Sequence, residues 1–108
     1  MIIPGATDTI KLRILGENVE LPGTDRIFVT FSQCGAPVIE KTGASLEVSE
    51  NVISVALTQE ESLSLQNMKT GKVQVNYLVT DGYGRQVRIP TLAATFDVGE
   101  QLLRRTLP

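Results

Sequence analysis

Apolar and polar residues alternate with a period of two along much of this chain. The clearest segment is 72–79, in which the odd positions are Val, Val, Tyr and Val and three of the four even positions are polar. A β-strand points successive side chains to opposite faces, so this pattern predicts a strand with one buried and one exposed face. The same alternation predicts strands over residues 10–14, 27–32 and 53–57. The chain is therefore predicted to be built mainly of strands.

Turn-forming residues separate the predicted strands. Glycine, proline, asparagine, aspartate and serine each favour tight turns for a distinct backbone or side-chain reason. They fall at Pro22-Gly23, Gly35-Ala36-Pro37, Thr42-Gly43, Ser49-Glu50-Asn51 and Asp81-Gly82-Tyr83-Gly84. Short strands with turn signals about every 8–12 residues are typical of all-β sandwiches and small barrels. We therefore predict an all-β fold of one of these two kinds.

The last long segment, residues 85–98, changes its alternation part of the way along. Val87 and Ile89 occupy odd positions, whereas the apolar residues from Leu92 onward occupy even positions. Pro90 lies at the change, and proline cannot donate to a strand ladder, so it is confined to edges and bulges. We predict two strand pieces joined at a bulge or bend. If the fold has two sheets, the second piece either crosses from the sheet of the first piece to the other sheet or reaches the edge of that other sheet.

One short helix is predicted near residues 58–64. The run from Thr58 to Glu61 has the spacing of a capping box, in which each side chain accepts a hydrogen bond from the other residue's backbone N–H. Acidic residues in the first turn also suit the positive end of the helix dipole. Glu60 and Glu61 are adjacent and point in different directions on a helix. Capping therefore explains this pair better than a catalytic pair of carboxylates.

The chain of 108 residues is predicted to be a single β-sandwich domain, 1–108, with short extensions at 1–6 and 99–108. A chain of this length buries about two-thirds of its unfolded surface on folding, which is enough for a stable core without disulfides. The segment 99–108 is rich in leucine and forms either a final helical turn or an extended tail. We expect its leucine side chains to pack against an apolar surface. That surface belongs either to this domain or to a neighbouring subunit.

The composition excludes several kinds of active site. The chain has no histidine and one cysteine, so it cannot form a Ser-His-Asp or Cys-His arrangement, a histidine-ligated zinc site or a thiolate cluster. Cys34 has no partner for an internal disulfide and no basic neighbour in sequence. We therefore expect a half-buried small residue at a strand end rather than a nucleophile. No catalytic residue, no metal site and no cofactor is expected, and we predict that the chain is not an enzyme.

The formal net charge of −2 is unevenly distributed along the chain. Residues 14–61 carry eight acids against two bases, whereas residues 69–108 carry six bases against three acids. Opposite patches of this kind suit head-to-tail packing of identical copies, because complementary charge orients association. The polarity disappears if the two halves interleave in the fold, and the sequence leaves both outcomes open.

Neither a nucleic acid nor a membrane is an expected partner. The net charge is negative and only five residues are aromatic, which is unlike a nucleic-acid-binding surface. No apolar run approaches the roughly 20 residues that a membrane-spanning helix needs. The first residues lack the positive start and apolar core of a signal peptide. We therefore expect the chain to be made and folded in a cytoplasm.

Two groups of residues are candidates for contact with a partner. The first is a stacking platform of one tyrosine and two arginines around the predicted 81–84 loop. The second consists of leucines and arginines in the segment 99–108. The candidates are Tyr83, Arg85, Arg88, Leu102, Leu103, Arg104 and Arg105.

Three stretches carry a resemblance to known proteins: Val29-Thr30-Phe31-Ser32-Gln33, Leu57-Thr58-Gln59-Glu60-Glu61-Ser62-Leu63 and Gly71-Lys72-Val73-Gln74-Val75-Asn76-Tyr77. In this order the chain resembles short proteins encoded in the tail and structural gene regions of tailed phages and prophages of Firmicutes and other gut bacteria. It is also similar to the N-terminal immunoglobulin-like domain of phage baseplate upper proteins. The resemblance covers residues 26–98. The sequence departs from that pattern in its longer Asp81–Arg85 loop and in its extensions Met1–Gly5 and Leu102–Pro108.

The resemblance implies an antiparallel immunoglobulin-like β-sandwich with one short helix near residues 58–64. It implies a non-enzymatic virion structural protein, most directly an assembly component of the tail or baseplate. One alternative is a capsid decoration or head–tail neck protein. Another is a host- or glycan-binding module displayed on the particle, with Tyr83 as its candidate contact. The expected partners are other virion proteins and copies of this chain, and the expected location is the virion, after synthesis in the host cytoplasm.

Overall fold

A computed structural model describes residues 1–15 and 21–108 of the chain. Two of the acids counted in the charge pattern, Glu17 and Glu20, lie outside these residues. The described part forms eight strands and one α-helix, with short 3-10 turns at Thr24–Arg26 and Gly43–Ser45. The elements are β1 (Thr9–Arg13), β2 (Ile27–Gln33), β3 (Ala36–Thr42), β4 (Leu46–Ser49), β5 (Val52–Ala56), α1 (Gln59–Leu63), β6 (Thr70–Thr80), β7 (Gln86–Pro90) and β8 (Ala94–Asp97).

The strands form two antiparallel sheets that share one core. The smaller sheet has the order β1-β5-β4, and the larger has the order β3-β2-β6-β7, with β8 also paired to β6. These orders place β1, β5 and β4 where an immunoglobulin domain has strands B, E and D, and β3, β2, β6 and β7 where it has C′, C, F and G. The predicted all-β, immunoglobulin-like sandwich is thereby confirmed. No described strand occupies the position of strand A beside β1.

The core lies between the inward-facing rows of the two sheets. In β2 every odd residue from Ile27 to Gln33 is buried, and β6 alternates in the same phase from Gly71 to Tyr77. The two strands pair directly, with Val29 opposite Val75. The smaller sheet contributes residues such as Ile53 to the same apolar cluster. The period-two alternation in the sequence therefore identified the central strands and their buried face, as β-strand geometry requires.

Strands β3 and β4 were not among the predicted strands. The burial pattern of β3 is irregular because it is an edge strand with a register shift in its ladder opposite Phe31 and Ser32. It also places a lysine, Lys41, on the buried side. β4 has only four residues, which is too short for a periodic pattern to emerge. Both strands form because their neighbours β2 and β5 offer open ladders to pair with.

The turn at Cys34 corrects the sequence interpretation of this residue. Cys34 and Gly35 both have positive φ, 54° and 77°, and together form a two-residue connection between β2 and β3. Two consecutive positive φ values characterise the hairpin turns whose twist matches that of the paired strands. Cys34 is therefore exposed at a hairpin tip rather than half-buried at a strand end. The buried residue here is Gln33, whose side chain donates to the carbonyls of Gln66 and Lys69.

The predicted bulge at Pro90 is present, but both strand pieces stay in the same sheet. β7 and β8 pair with the same edge of β6 one after the other, with Pro90 opposite Asn76 and Ala94 opposite Val73. Between these two pairs, two residues of β6 face three residues of the partner segment, so one residue is extra. Thr91 fills the gap, since its hydroxyl accepts from the Val75 N–H at 3.1 Å. The suggested crossing to the other sheet is therefore wrong.

Leu92 is the residue of this segment for which the prediction from the alternation is most clearly wrong. It was expected on the buried side, but it is 95% exposed. The reason is the extra residue of the bulge, which turns the chain outward between β7 and β8. The buried phase resumes at Phe96, which packs edge-on against Phe31 with 5.7 Å between ring centroids.

The predicted capping box is present at the start of α1. The Thr58 hydroxyl accepts from the Glu61 N–H at 3.1 Å, and the Glu61 carboxylate accepts from the Thr58 N–H at 3.0 Å. The helix covers Gln59–Leu63 and ends with Ser64 as its C-terminal cap, within the predicted 58–64. It links β5 to β6 across one end of the sandwich.

Replacing Thr58 with alanine should lower the free energy of unfolding by about 1 kcal/mol, because the N–H groups at the helix start lose an acceptor. Urea denaturation followed by circular dichroism measures the change. Thr58→Ser is the matched control, since it keeps the hydroxyl and should stay close to wild type. If Thr58→Ala has the same urea midpoint as the wild type, the Thr58 cap does not contribute to stability.

The extensions at 1–6 and 99–108 lie against each other. Ile2 forms a parallel bridge with Val98, with its N–H donating to the Asp97 carbonyl and its carbonyl accepting from Gly99. The Gln101 side chain donates to the Pro4 carbonyl at 2.9 Å. Both segments therefore pack on this domain, and residues 99–108 are irregular, with two bends and without the helical turn that was one of their two predicted forms.

Candidate interaction surfaces

A hairpin formed by the end of β6 and the start of β7 projects beyond the rest of the larger sheet. The last residue of β6 that pairs with β2 is Tyr77, whereas the pairing of β6 with β7 continues to Thr80 and Gln86. Val87 is paired with Val79 and lies in the inward phase of β7, yet it is exposed. The hairpin therefore presents its tip, residues 81–85, to solvent.

Asp81 holds this tip in one conformation. One carboxylate oxygen accepts from the backbone N–H groups of Tyr83 and Arg85 at 2.8 and 2.9 Å, and the other accepts from the Arg85 guanidinium at 3.1 Å. Gly84 adopts a φ of 77°, which glycine tolerates without strain. The hydrogen bonds from the Arg85 and Tyr83 backbone hold the pKa of Asp81 below its ordinary value. The loop is thus preorganised rather than loose.

The predicted stacking platform is formed only in part. The Arg85 guanidinium carbon lies 5.6 Å from the centre of the Tyr83 ring, within cation–π range. Tyr83 is 87% exposed, so the pair stands free at the tip. Arg88 does not join it, because its Nε donates to the Asn76 side chain at 3.0 Å on the outer face of the sheet.

Arg104 fastens the segment 99–108 to the end of α1. Its guanidinium donates to the carbonyls of Leu63 and Leu65 at 2.8 and 2.9 Å and to the Asn67 side chain at 2.6 Å. A cation at this place satisfies carbonyls that the end of a helix leaves unpaired. Arg104, a predicted contact with a partner, is therefore occupied within its own chain.

The other predicted residues of this segment remain accessible. Leu102 is 85% exposed, and Leu103 and Arg105 are also exposed. They lie at the opposite end of β6 from Tyr83, because the segment contacts the region before β6 and the hairpin tip follows it. An eleven-residue strand spans roughly 33 Å. The candidate residues therefore form two separate surfaces.

A groove opens between β1 and β8, on the side of β1 with which no described strand pairs. It has a volume of about 400 Å³. Its apolar walls come from both sheets and from the first residues of the chain. The lining includes Ile2, Ile10, Leu12, Phe31, Val73 and Phe96. Such a groove suits an extended apolar segment or the edge of another sheet.

A second depression of similar volume lies on the outer face of the larger sheet. Half-buried Phe28 and Leu78 form its apolar part, while Glu40 and Arg88 supply opposite charges. The alternation in β2 and β6 located these outward positions, although it did not indicate that they surround a depression.

The edges of the smaller sheet are a surface that sequence reasoning missed. β1 and β4 each pair only with β5 within the described residues. Lys11 and Arg13 are exposed along β1, and Glu47 is exposed on β4. The alternating charges of β1 were visible in the sequence. That β1 is an edge strand follows only from the sheet order.

Lys41 and Glu61 form an ion pair that ties α1 to the larger sheet. The Lys41 Nζ lies 2.6 Å from a Glu61 carboxylate oxygen, and the Lys41 side chain is only 8% exposed. The same oxygen accepts the Thr58 N–H, so one carboxylate serves both the cap and the ion pair. Its contacts are structural, which agrees with the interpretation of Glu61 as a capping residue.

The Glu61 carboxylate should stabilise the fold above its ordinary pKa of 4.5 and lose this effect in acid. Burial alone would raise the pKa of Glu61, but hydrogen bonds from Lys41 and Thr58 outweigh it and hold the pKa below the ordinary value. A native pKa below the unfolded one means that stabilisation falls as the pH drops below 4.5.

This prediction is measured by urea unfolding of wild type and Glu61→Gln between neutral pH and the acid limit of the fold. The wild type should be more stable near neutral pH, and the difference should shrink in acid. Asp97→Asn is a matched control for carboxylate loss at an exposed site. A difference that is constant with pH would contradict the assigned contacts.

Among residues 1–15 and 21–108, no helix is long and apolar enough to cross a membrane. In the same part of the chain, no group of three or more Cys, Asp or Glu residues could hold a metal ion. Comparison with protein-family models, curated proteins and solved structures finds no match to this chain.

Proposed function

We propose that this chain is a non-enzymatic structural component of a tailed-phage particle, most directly an assembly component of the tail or baseplate. The observation that carries the proposal is the sandwich with a projecting, preorganised hairpin and with edges on β1 and β4 that pair with no other described strand. Such edges offer rows of backbone N–H and C=O groups to neighbouring chains. The resemblance of residues 26–98 to phage tail and structural proteins supplies the biological setting.

The proposal assigns the accessible residues to contacts with other virion proteins and with copies of the same chain. Exposed Leu102, Leu103 and Arg105 supply one contact surface at one end of the larger sheet, and the Tyr83–Arg85 pair supplies another at the opposite end. Two surfaces on opposite ends allow one molecule to bridge two neighbours.

Mass spectrometry of intact particles, purified from the host that encodes the chain, tests the proposal. The expected result is stoichiometric presence of the chain beside known structural proteins after density-gradient purification. Its absence from particles whose other structural proteins are fully detected would overturn the proposal. Antibody labelling and electron microscopy then separate a tail or baseplate position from a capsid-decoration or neck position.

A glycan- or host-binding role is favoured by one specific observation, the exposed Tyr83 ring stacked on Arg85. Exposed aromatic rings are common contacts for sugar faces. Tyr83→Ala should then reduce particle adsorption, whereas Tyr83→Phe should preserve it. Equal adsorption of both variants and the wild type would exclude this contact.

A further inference from the structure

The smaller sheet ends in two edges of opposite charge. β1 exposes Lys11 and Arg13, while β4 exposes Glu47 and leads into the exposed turn residue Glu50. Within the described residues, no other strand pairs with the outer side of either edge. An open edge pairs readily with a strand of another chain whose side chains match.

Residues of β1 and β4 that pair with the same residue of β5 form a row across the smaller sheet, and the two ends of each row have complementary chemistry. Ser54 of β5 is paired with Lys11 on one side and with Glu47 on the other. One row on the outward face thus runs from an exposed lysine at one edge, through half-buried Ser54, to an exposed glutamate at the other. The next row, on the inward face, begins with half-buried Leu12 and ends with half-buried Val48.

We propose that a second copy of this chain adds its β4 to the β1 of the first, so that the smaller sheet continues from copy to copy. β1 and β4 both run antiparallel to β5 and are therefore parallel to each other. A copy stacked in the same orientation brings the two edges together about 4.8 Å apart. Lys11 then lies beside Glu47 of the second copy, and Leu12 lies beside its Val48.

Like-with-like pairing of the edges is disfavoured by the same charges. Two β1 strands side by side would bring Lys11 and Arg13 against their own copies, and two β4 strands would bring Glu47 against Glu47. Like charges on neighbouring strands are destabilising. Among pairings of these two edges, only the head-to-tail arrangement brings a basic edge against an acidic one, which favours a second copy in this orientation as the partner.

The groove beside β1 supplies apolar area for this contact. Ile10 and Leu12 line it and are only half-buried, because no described strand pairs with the outer side of β1. A β4 strand added to β1 covers these two side chains with the inward-facing residues of the second copy. A head-to-tail contact of this kind repeats, and it generates a ring when the rotation closes.

The inference deepens the assembly role proposed above and rests on it for its place in a particle. The contact itself is testable on the purified full chain in solution. Sedimentation velocity measures self-association of the chain as its concentration is raised to about 1 mM, a range that includes the dissociation constants expected of a small interface. Low ionic strength is used, because salt screens the charges that orient the edges.

Charge reversal at the edges gives the decisive variants. Lys11→Glu and Glu47→Lys should each weaken self-association roughly tenfold, because each replaces an attractive cross-strand pair with a repulsive one. An equimolar mixture of the two variants should associate like the wild type, since every contact between unlike molecules is again complementary. The variant that carries both changes, Lys11→Glu and Glu47→Lys, should also self-associate like the wild type, because its two edges are again of opposite charge. Lys72→Glu and Glu40→Lys make the same changes at exposed positions of the larger sheet and should leave association unchanged.

Two results would overturn the inference. One is a wild type that stays monomeric throughout, in which case Lys11 and Arg13 serve only to protect the edge. The other is association that is insensitive to the edge variants, or that is lost instead in Leu103→Ser or Tyr83→Ala, which would move the contact elsewhere. If the chain is present in purified virions but does not self-associate, only the edge contact is refuted. If it self-associates through these edges but is absent from virions, only the virion role is refuted.

Discussion

Val75→Asp should prevent the chain from folding. Val75 is 3% exposed in the centre of β6, opposite Val29. The buried lysine of the same row, Lys41, lies two strands away on β3 and is already paired with Glu61. An ionised carboxylate without a partner costs several kcal/mol when buried, and the buried valine contributes about 2 kcal/mol of its own. A small domain has a total stability of only about 5–15 kcal/mol. Amide signals in a proton–nitrogen NMR spectrum should therefore collapse into the unfolded range.

Lys72→Asp is the matched control for this experiment. It introduces the same side chain three positions earlier in β6, on the exposed face. It should stay folded, with a stability change of about 0.5 kcal/mol or less. A folded Val75→Asp with a near-wild-type midpoint would mean that the inward face of β6 has been identified wrongly.

Gly71→Ala should be the second most damaging change, lowering the free energy of unfolding by about 3 kcal/mol. Gly71 is paired with Gln33 on one side and with Phe96 on the other. A Cβ atom there would lie less than 3.0 Å from the Phe96 ring and from the Ser32 carbonyl oxygen. The ring can shift, but the carbonyl belongs to the neighbouring strand, so the ladder itself must move.

Gly82→Ala is the control for Gly71→Ala. Apart from its two chain neighbours, no described residue has an atom within 4 Å of a Cβ built on Gly82, which lies in the exposed hairpin tip. Its stability should change by about 0.5 kcal/mol or less. The double variant Gly71→Ala with Phe96→Leu should recover part of the loss, because it relieves the ring contact and leaves the carbonyl contact. Urea unfolding of the four proteins measures both effects, and equal stability of the two single glycine variants would contradict the close packing.

The central strands were predictable because their environment is simple. β2 and β6 have neighbours on both sides and one apolar face, so burial follows the two-residue period directly. The capping box was predictable for a similar reason, since its contacts join residues only three positions apart. Local geometry determines both features.

The peripheral features depended on pairing that no local pattern encodes. β3 carries a buried lysine that is acceptable only because Glu61 approaches from a distant segment. Leu92 follows the expected apolar phase, yet the bulge between β7 and β8 turns it to solvent. The exposed Cys34 results from a hairpin turn whose geometry depends on β3, which the periodicity did not predict.

The candidate surfaces divide in the same way. The sequence by itself determined that the chain is built mainly of strands, that a helix begins after Thr58, and that chemistry requiring histidine or paired cysteines is excluded. The tertiary structure decided that the strands form a two-sheet sandwich. The tertiary structure alone decided that Tyr83 and Arg85 stack while Arg88 points elsewhere, that Arg104 is held within its own chain, and that β1 and β4 are edges of opposite charge. The physical reason is that alternation and capping arise from neighbours along the chain, whereas edges, grooves and ion pairs arise from segments that only folding brings together.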